Sequence, residues 1–290
     1  MNVDLSKFRL ALSLLTVYAL SAVPLLNGGV IQTQTFNNLS HGQIVDNEFS
    51  NGINGFTVSG TNIGGGPDLI VAFDTFAQNT EDPDLEDPFD IGNAATSDIF
   101  RDLQDPNNSG SNISRFFDAL IIQENGQEDP DNKGFISANP DDEGTRPAGT
   151  IQLEFESPIS RFGFDLLDVE GVDEEFNLVF SSGDDVIATV PFSEFVDNED
   201  GLFFDDTIEF GNNSANRIVP ISTTRLRAFT GDDTIESFDQ IAINLGGSGA
   251  VDNIRFENFV PEPTSAVSWL VICATFVGFR RRQGSTNKLV

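Results

Sequence analysis

Residues 150–170 read TIQLEFESPISRFGFDLLDVE. Ile151, Leu153 and Phe155 fall on one side of an extended chain, and Gln152, Glu154 and Glu156 on the other. Phe162, Phe164 and Leu166 then alternate with Gly163 and Asp165. Successive side chains of a strand point to opposite faces, so a period of two predicts half-buried β-strands. On that reading Asp165 faces solvent unless it serves a metal or a turn.

Similar runs lie on either side. They are FTVSG from Phe56, DLIVAF from Asp68, ALIIQ from Ala119, FNLVF from Phe176, DVIATVPF from Asp185, LRAFT from Leu226, FDQIAINL from Phe238 and AVDNIRFENF from Ala250. Turn clusters (NGING, SSGDD, GDD, GGSG) separate them. Only 98–103 and 114–120 offer short helical stretches. About ten short strands with polar turns predict an all-β fold, an antiparallel β-sandwich or jelly roll over residues 28–260. With 27 phenylalanines in the chain, Phe is its expected core filler.

The single Cys273, Trp269, Tyr18 and Met1 all lie near the two ends. The body between Gly28 and Val260 therefore has no disulfide, no cysteine nucleophile and no thiolate metal site. The formal net charge is −31, from 15 basic and 46 acidic residues. Binding to nucleic-acid phosphates needs Lys and Arg, so a nucleic-acid partner is excluded. An acidic surface suits solubility and cation binding.

Two long stretches, 74–115 and 124–149, are rich in Asp, Asn, Pro and Gly and carry little strand signal. The first contains FDTFAQNTEDPDLEDPFD, in which Glu81, Asp82, Asp84, Glu86, Asp87 and Asp90 crowd without a base. Crowded carboxylates repel unless a hard cation neutralises them, and outside the cytoplasm Ca²⁺ is the natural one. The spacing is not that of an EF-hand; the alternative is a solvated acidic loop. FDLLDVEG adds Asp165, Asp168 and Glu170, and Asp252 sits in a strand pattern where Asp is disfavoured. The candidate metal ligands are thus Asp74, Asp82, Asp84, Glu86, Asp87, Asp165, Asp168 and Asp252, with structural calcium as the expected cofactor.

Catalysis has little support. His41 is the only histidine, so a Ser-His-Asp triad would have to use it, and no G-x-S-x-G surrounds a serine. A glycosidase carboxylate pair is available in any chain this acidic. The body, however, lacks the Trp and Tyr on which sugar-cleaving clefts stack substrate. No catalytic residue is assigned, and the chain is expected not to be an enzyme. A secreted glycan-binding module acting on extracellular polysaccharide is the alternative, binding sugar through Asp, Asn, Arg or calcium.

The ends carry the clearest functional signal. Residues 1–27 have the layout of a secretory signal peptide: Lys7 and Arg9, then an apolar stretch from Leu10 to Leu26 containing Ala19, Ser21 and Ala22. Residues 261–290 contain Pro261, Glu262 and Pro263, an uncharged span from Ser265 to Phe279, and then Arg280, Arg281 and Arg282. The span reads as a single transmembrane helix, short of the roughly 20 residues of a full crossing. The arginines place its end in the cytoplasm. These elements in this order resemble the PEP-CTERM sorting signal. That resemblance implies recognition by exosortase, a membrane-embedded cysteine-type transpeptidase, and delivery to the envelope or the medium. It further implies a Gram-negative host that makes extracellular polysaccharide. The two prolines hold Glu262 extended, in a form open to a protease.

Overall fold

The computed structural model describes residues 31–52, 54–86, 118–173, 175–211 and 214–261. The signal segment, the apolar span and the arginine cluster lie outside them, as do Asp87, Glu262 and Pro263. Among the described residues no helix is long and apolar enough to cross a membrane.

The described chain is mostly antiparallel sheet. Its strands are β1 (Ile31–Gln34), β2 (Phe56–Asn62), β3 (Ile70–Asp74), β4 (Asp118–Ile122), β5 (Gly149–Leu167), β6 (Asn177–Ser182), β7 (Asp185–Pro191), β8 (Ala215–Ser222), β9 (Phe238–Leu245) and β10 (Ala250–Asn258). Helix α1 (Ser193–Val196) and helix α2 (Thr223–Thr230) are short, and Pro83–Leu85 forms one 3-10 turn.

The alternating stretch becomes a single 19-residue strand, β5, around which the sheet is organised. Its first half pairs with β2 on one edge and β9 on the other; its second half pairs with β10 and β8. The sheet path continues from β9 to β6 and β7, and from β10 to β4 and β3. The break comes at Pro158, where the β9 register jumps between Glu154 and Ile159. Proline has no N–H to give a ladder, so the strand changes partners there.

The faces of β5 follow the sequence in the first half and depart from it in the second. Ile151, Leu153 and Phe155 are buried, while Gln152, Glu154 and Glu156 are half-buried or exposed. From Phe162 to Leu167 every residue is buried. One face joins the main core with Phe56, Phe180, Phe238 and Phe256. The other joins a second cluster of Val71, Phe73, Leu85, Ala119, Ile121 and Leu167. Phenylalanine is the main aromatic filler: the Phe155 and Phe256 rings lie 4.9 Å apart, and Phe180 and Phe238 5.1 Å, edge to face.

Two sequence expectations change. LRAFT, expected as a strand, lies in α2: the Ser222 hydroxyl accepts from the Arg225 N–H and Gly231 ends the helix at φ 75°. Of residues 114–120, one of the two helical options, the described part, 118–120, lies in β4. β1 and β8 carry no alternation strong enough to announce them.

Candidate functional site

Two groups of acidic side chains lie inside this frame. The first surrounds Asp165, at 0% exposure. Arg255 of β10 donates through Nη1 to Oδ1 at 2.7 Å and through Nη2 to Oδ2 at 2.9 Å. Arg217 of β8 donates through Nε to Oδ1 and through Nη2 to Oδ2, both at 2.9 Å. The register makes this possible, because Asp165 lies opposite Arg217 on one edge and beside the β10 bulge on the other. Within the bulge Asn253 takes φ 50°, a left-handed conformation that asparagine tolerates, and its Nδ2 donates to Asp165 Oδ2 at 2.9 Å.

Burial works to raise the Asp165 carboxyl, but the charges of Arg255 and Arg217 outweigh it and hold it down at about 2. Both oxygens are fully engaged by these donors. Asp165, expected as a metal ligand, is instead the anion of a buried ion network, and a cation there would have to displace a guanidinium. Asp252 is at 1% exposure, and its oxygens accept from the backbone N–H and the Nδ2 of Asn253 at 2.5 and 3.0 Å. Burial, followed by the charge of Asp165, pushes its carboxyl well above the usual range. Its strand position is inside the protein, not on a solvent face. Nearby, Asp74 and Asp118 face each other across β3 and β4. Burial and the Asp74 charge raise Asp118 to about 6.

The second group gathers from loops. Asp82, Asp142 and Asp168 are all buried. Asp142 hydrogen-bonds Asp82, feels the charge of Asp168 and accepts the Gly249 N–H at 2.7 Å. Burial and then the Asp82 charge push it well up. Asp168 takes φ 52°, and its Oδ2 accepts from the Ser248 hydroxyl at 3.2 Å. Next to this pair Asp141 hydrogen-bonds Glu124; burial, that bond and the Glu124 charge raise Asp141 to about 7. Carboxyl contacts of this kind need a shared proton or a cation. Among the described residues no three acidic, His or Cys side chains converge as a metal site.

Of the expected ligands, then, Asp82 and Asp168 are brought together through Asp142. Glu86 instead accepts from the Thr80 N–H and hydroxyl at 2.6 and 2.8 Å, and Asp84 lies in the 3-10 turn. The sequence reading missed Asp142, although the triplet Asp141-Asp142-Glu143 stands out in the second long loop. It also missed Arg217 and Arg255, for which no local pattern exists. His41 is half-buried, with Nδ1 accepting the Asp74 N–H at 3.1 Å and its ring against Phe73. Burial lowers its pKa, outweighing the charge of Asp74. It anchors the chain beside β3.

No family model matches the chain. No curated protein matches it either. Among solved structures, the K2 cleaved adhesin domain of Lys-gingipain aligns over 78% of this chain and 99% of its own, with 11% identity and a TM-score of 0.33. The catalytic domain of a GH87 alpha-1,3-glucanase, solved with tetrasaccharides, aligns over 78% of this chain and 31% of its own, with 12% identity and a TM-score of 0.24. The chain thus spans about a third of that glucanase domain. Likenesses this slight assign no family and no function.

Proposed function

We propose that this chain is a non-enzymatic, exported envelope or matrix protein. Residues 1–27 direct export, residues 28–260 form a β-sandwich module, and residues 261–290 are a PEP-CTERM sorting tail processed by exosortase at Pro261-Glu262-Pro263. The observation that carries the reading is the order of motif, apolar span and arginine cluster in the last 30 residues. One structural feature supports it: β10 ends at Asn258, and Pro261 is exposed and outside any strand. Cleavage beyond that point removes none of the ten strands described.

Structural calcium belongs to the same reading. The loop acids Asp82, Asp142 and Asp168, with Asp141 and Glu124 beside them, are the residues that would hold it; they do not converge as a ready site, so the loops would have to close on the ion, and a shared proton is the alternative to it.

The test replaces Pro261, Glu262 and Pro263 with alanine in a Gram-negative host that makes exosortase. The expected result is a chain that keeps its tail and stays in the inner membrane. An unchanged location with normal processing would refute the sorting role.

A further inference from the structure

The outer face of the first half of the sheet differs from the rest of this acidic protein. The registers of β2, β5, β9, β6 and β7 align its side chains in rows running across five strands. One row is Thr61, Thr150, Asn244, Asn177 and Pro191. The second row is Ser59, Gln152, Ala242, Val179 and Thr189, and the third is Thr57, Glu154, Gln240, Ser181 and, past a bulge, the exposed Val186. Across all three rows Glu154 is the only ionisable side chain, and there is no aromatic residue. Every position is half-buried or exposed. On a chain of net charge −31, this is a broad patch almost free of charge.

Several of these side chains are already ordered. The Thr150 hydroxyl donates to Asn244 Oδ1 at 2.6 Å, and Asn244 Nδ2 donates to Asn177 Oδ1 at 2.8 Å. The entropy cost of immobilising them is therefore met in the free protein, and a partner need not supply it.

We propose that this face binds an uncharged polysaccharide laid across the strands. Hydroxyl and amide groups each donate and accept, as sugar hydroxyls do. In the first row four neighbouring strands, about 4.8 Å apart, each carry such a group: Thr61, Thr150, Asn244 and Asn177. The charge argument selects the partner. An anionic polymer meets the repulsive field of the whole molecule, and a cationic one finds stronger sites among the surface acids. A protein partner, a second copy included, would find on this face none of the aromatic and arginine anchors that dominate such interfaces; a sugar would be held without stacking, through the hydroxyl and amide groups alone. The proposal goes beyond the sorting role and rests on that reading only for the extracellular location.

The purified full chain is run in native gels containing dextran, galactomannan or hydroxyethyl cellulose, with alginate as the anionic control. At least one neutral polymer should retard it and alginate should not. Gln152→Glu with Gln240→Glu, which keeps shape and adds charge, should weaken retardation at least tenfold in apparent Kd. Ser59→Glu with Thr189→Glu, at two exposed positions, should do the same and serves if the first variant does not fold. The proposal is overturned by no retardation in any neutral gel, by equal retardation in alginate, or by folded variants that bind unchanged. Sedimentation showing a dimer that these changes dissociate would give the face to a second copy and overturn it too. Retardation of a chain that cells do not export would leave this proposal standing and overturn the export reading alone.

Discussion

Asp165 is the residue on which two buried cations depend. Arg217 and Arg255 are at 6% and 2% exposure, and each makes two bonds to that carboxylate. Removing one partner of a buried ion pair costs about 3–5 kcal/mol, because the charge left behind cannot reach water. Asp165→Asn is nearly isosteric and removes the charge that both guanidiniums share. Urea unfolding should show a loss of that size. A loss under about 1 kcal/mol would mean that Asp252 or water replaces the lost charge.

At the scale of elements, β5 depends on a close approach at its start. Gly149 has φ 154°, and a Cβ there would overlap the Thr61 carbonyl oxygen on β2. Gly149→Ala must therefore push β2 away or bend β5. It should lower stability by more than about 2 kcal/mol in a denaturant titration, with the unfolding slope unchanged. The alternation in 150–156 made this half of the strand legible, because one of its faces meets solvent. The second half was only half legible. Phe162, Phe164 and Leu166 marked the core face, but Gly163 and Asp165 looked solvent-facing. Their burial comes from arginines and apolar residues far along the chain, and no local period records such partners. α2 was missed for a different reason: a helix this short has too few apolar positions to set a period, so only its caps, Ser222 and Gly231, carried the signal. In the candidate site the acidic loop was visible as composition, but its pairing with Asp142 depends on how two loops meet.

At the scale of the whole molecule, the raised carboxyls set the response to pH. Asp118 stands at about 6 and Asp141 at about 7, and Asp142 is raised as well. In an unfolded chain aspartates release their protons near pH 4. Between there and the folded values the native chain holds more protons, so stability falls as pH rises through that window. Asp165, held at about 2, acts oppositely: the stability it adds above pH 4 is lost as pH falls toward 2. In chelator, the thermal midpoint of the full chain should be higher at pH 5 than at pH 8. Calcium competes with those protons, so it should raise the midpoint more at pH 8 than at pH 5. At 100 times its Kd a ligand that binds only the folded state adds about 2.7 kcal/mol, which calorimetry resolves easily. An equal midpoint with calcium and with chelator at pH 8 would leave the acids as a proton-sharing cluster without metal. Export followed by tail removal is tested by the intact mass of the chain recovered from hosts with and without exosortase. With exosortase, the mass should lack both residues 1–27 and the segment beyond Pro261-Glu262-Pro263; without it, only the first. A chain carrying its apolar span and arginine cluster in both hosts would contradict the claim.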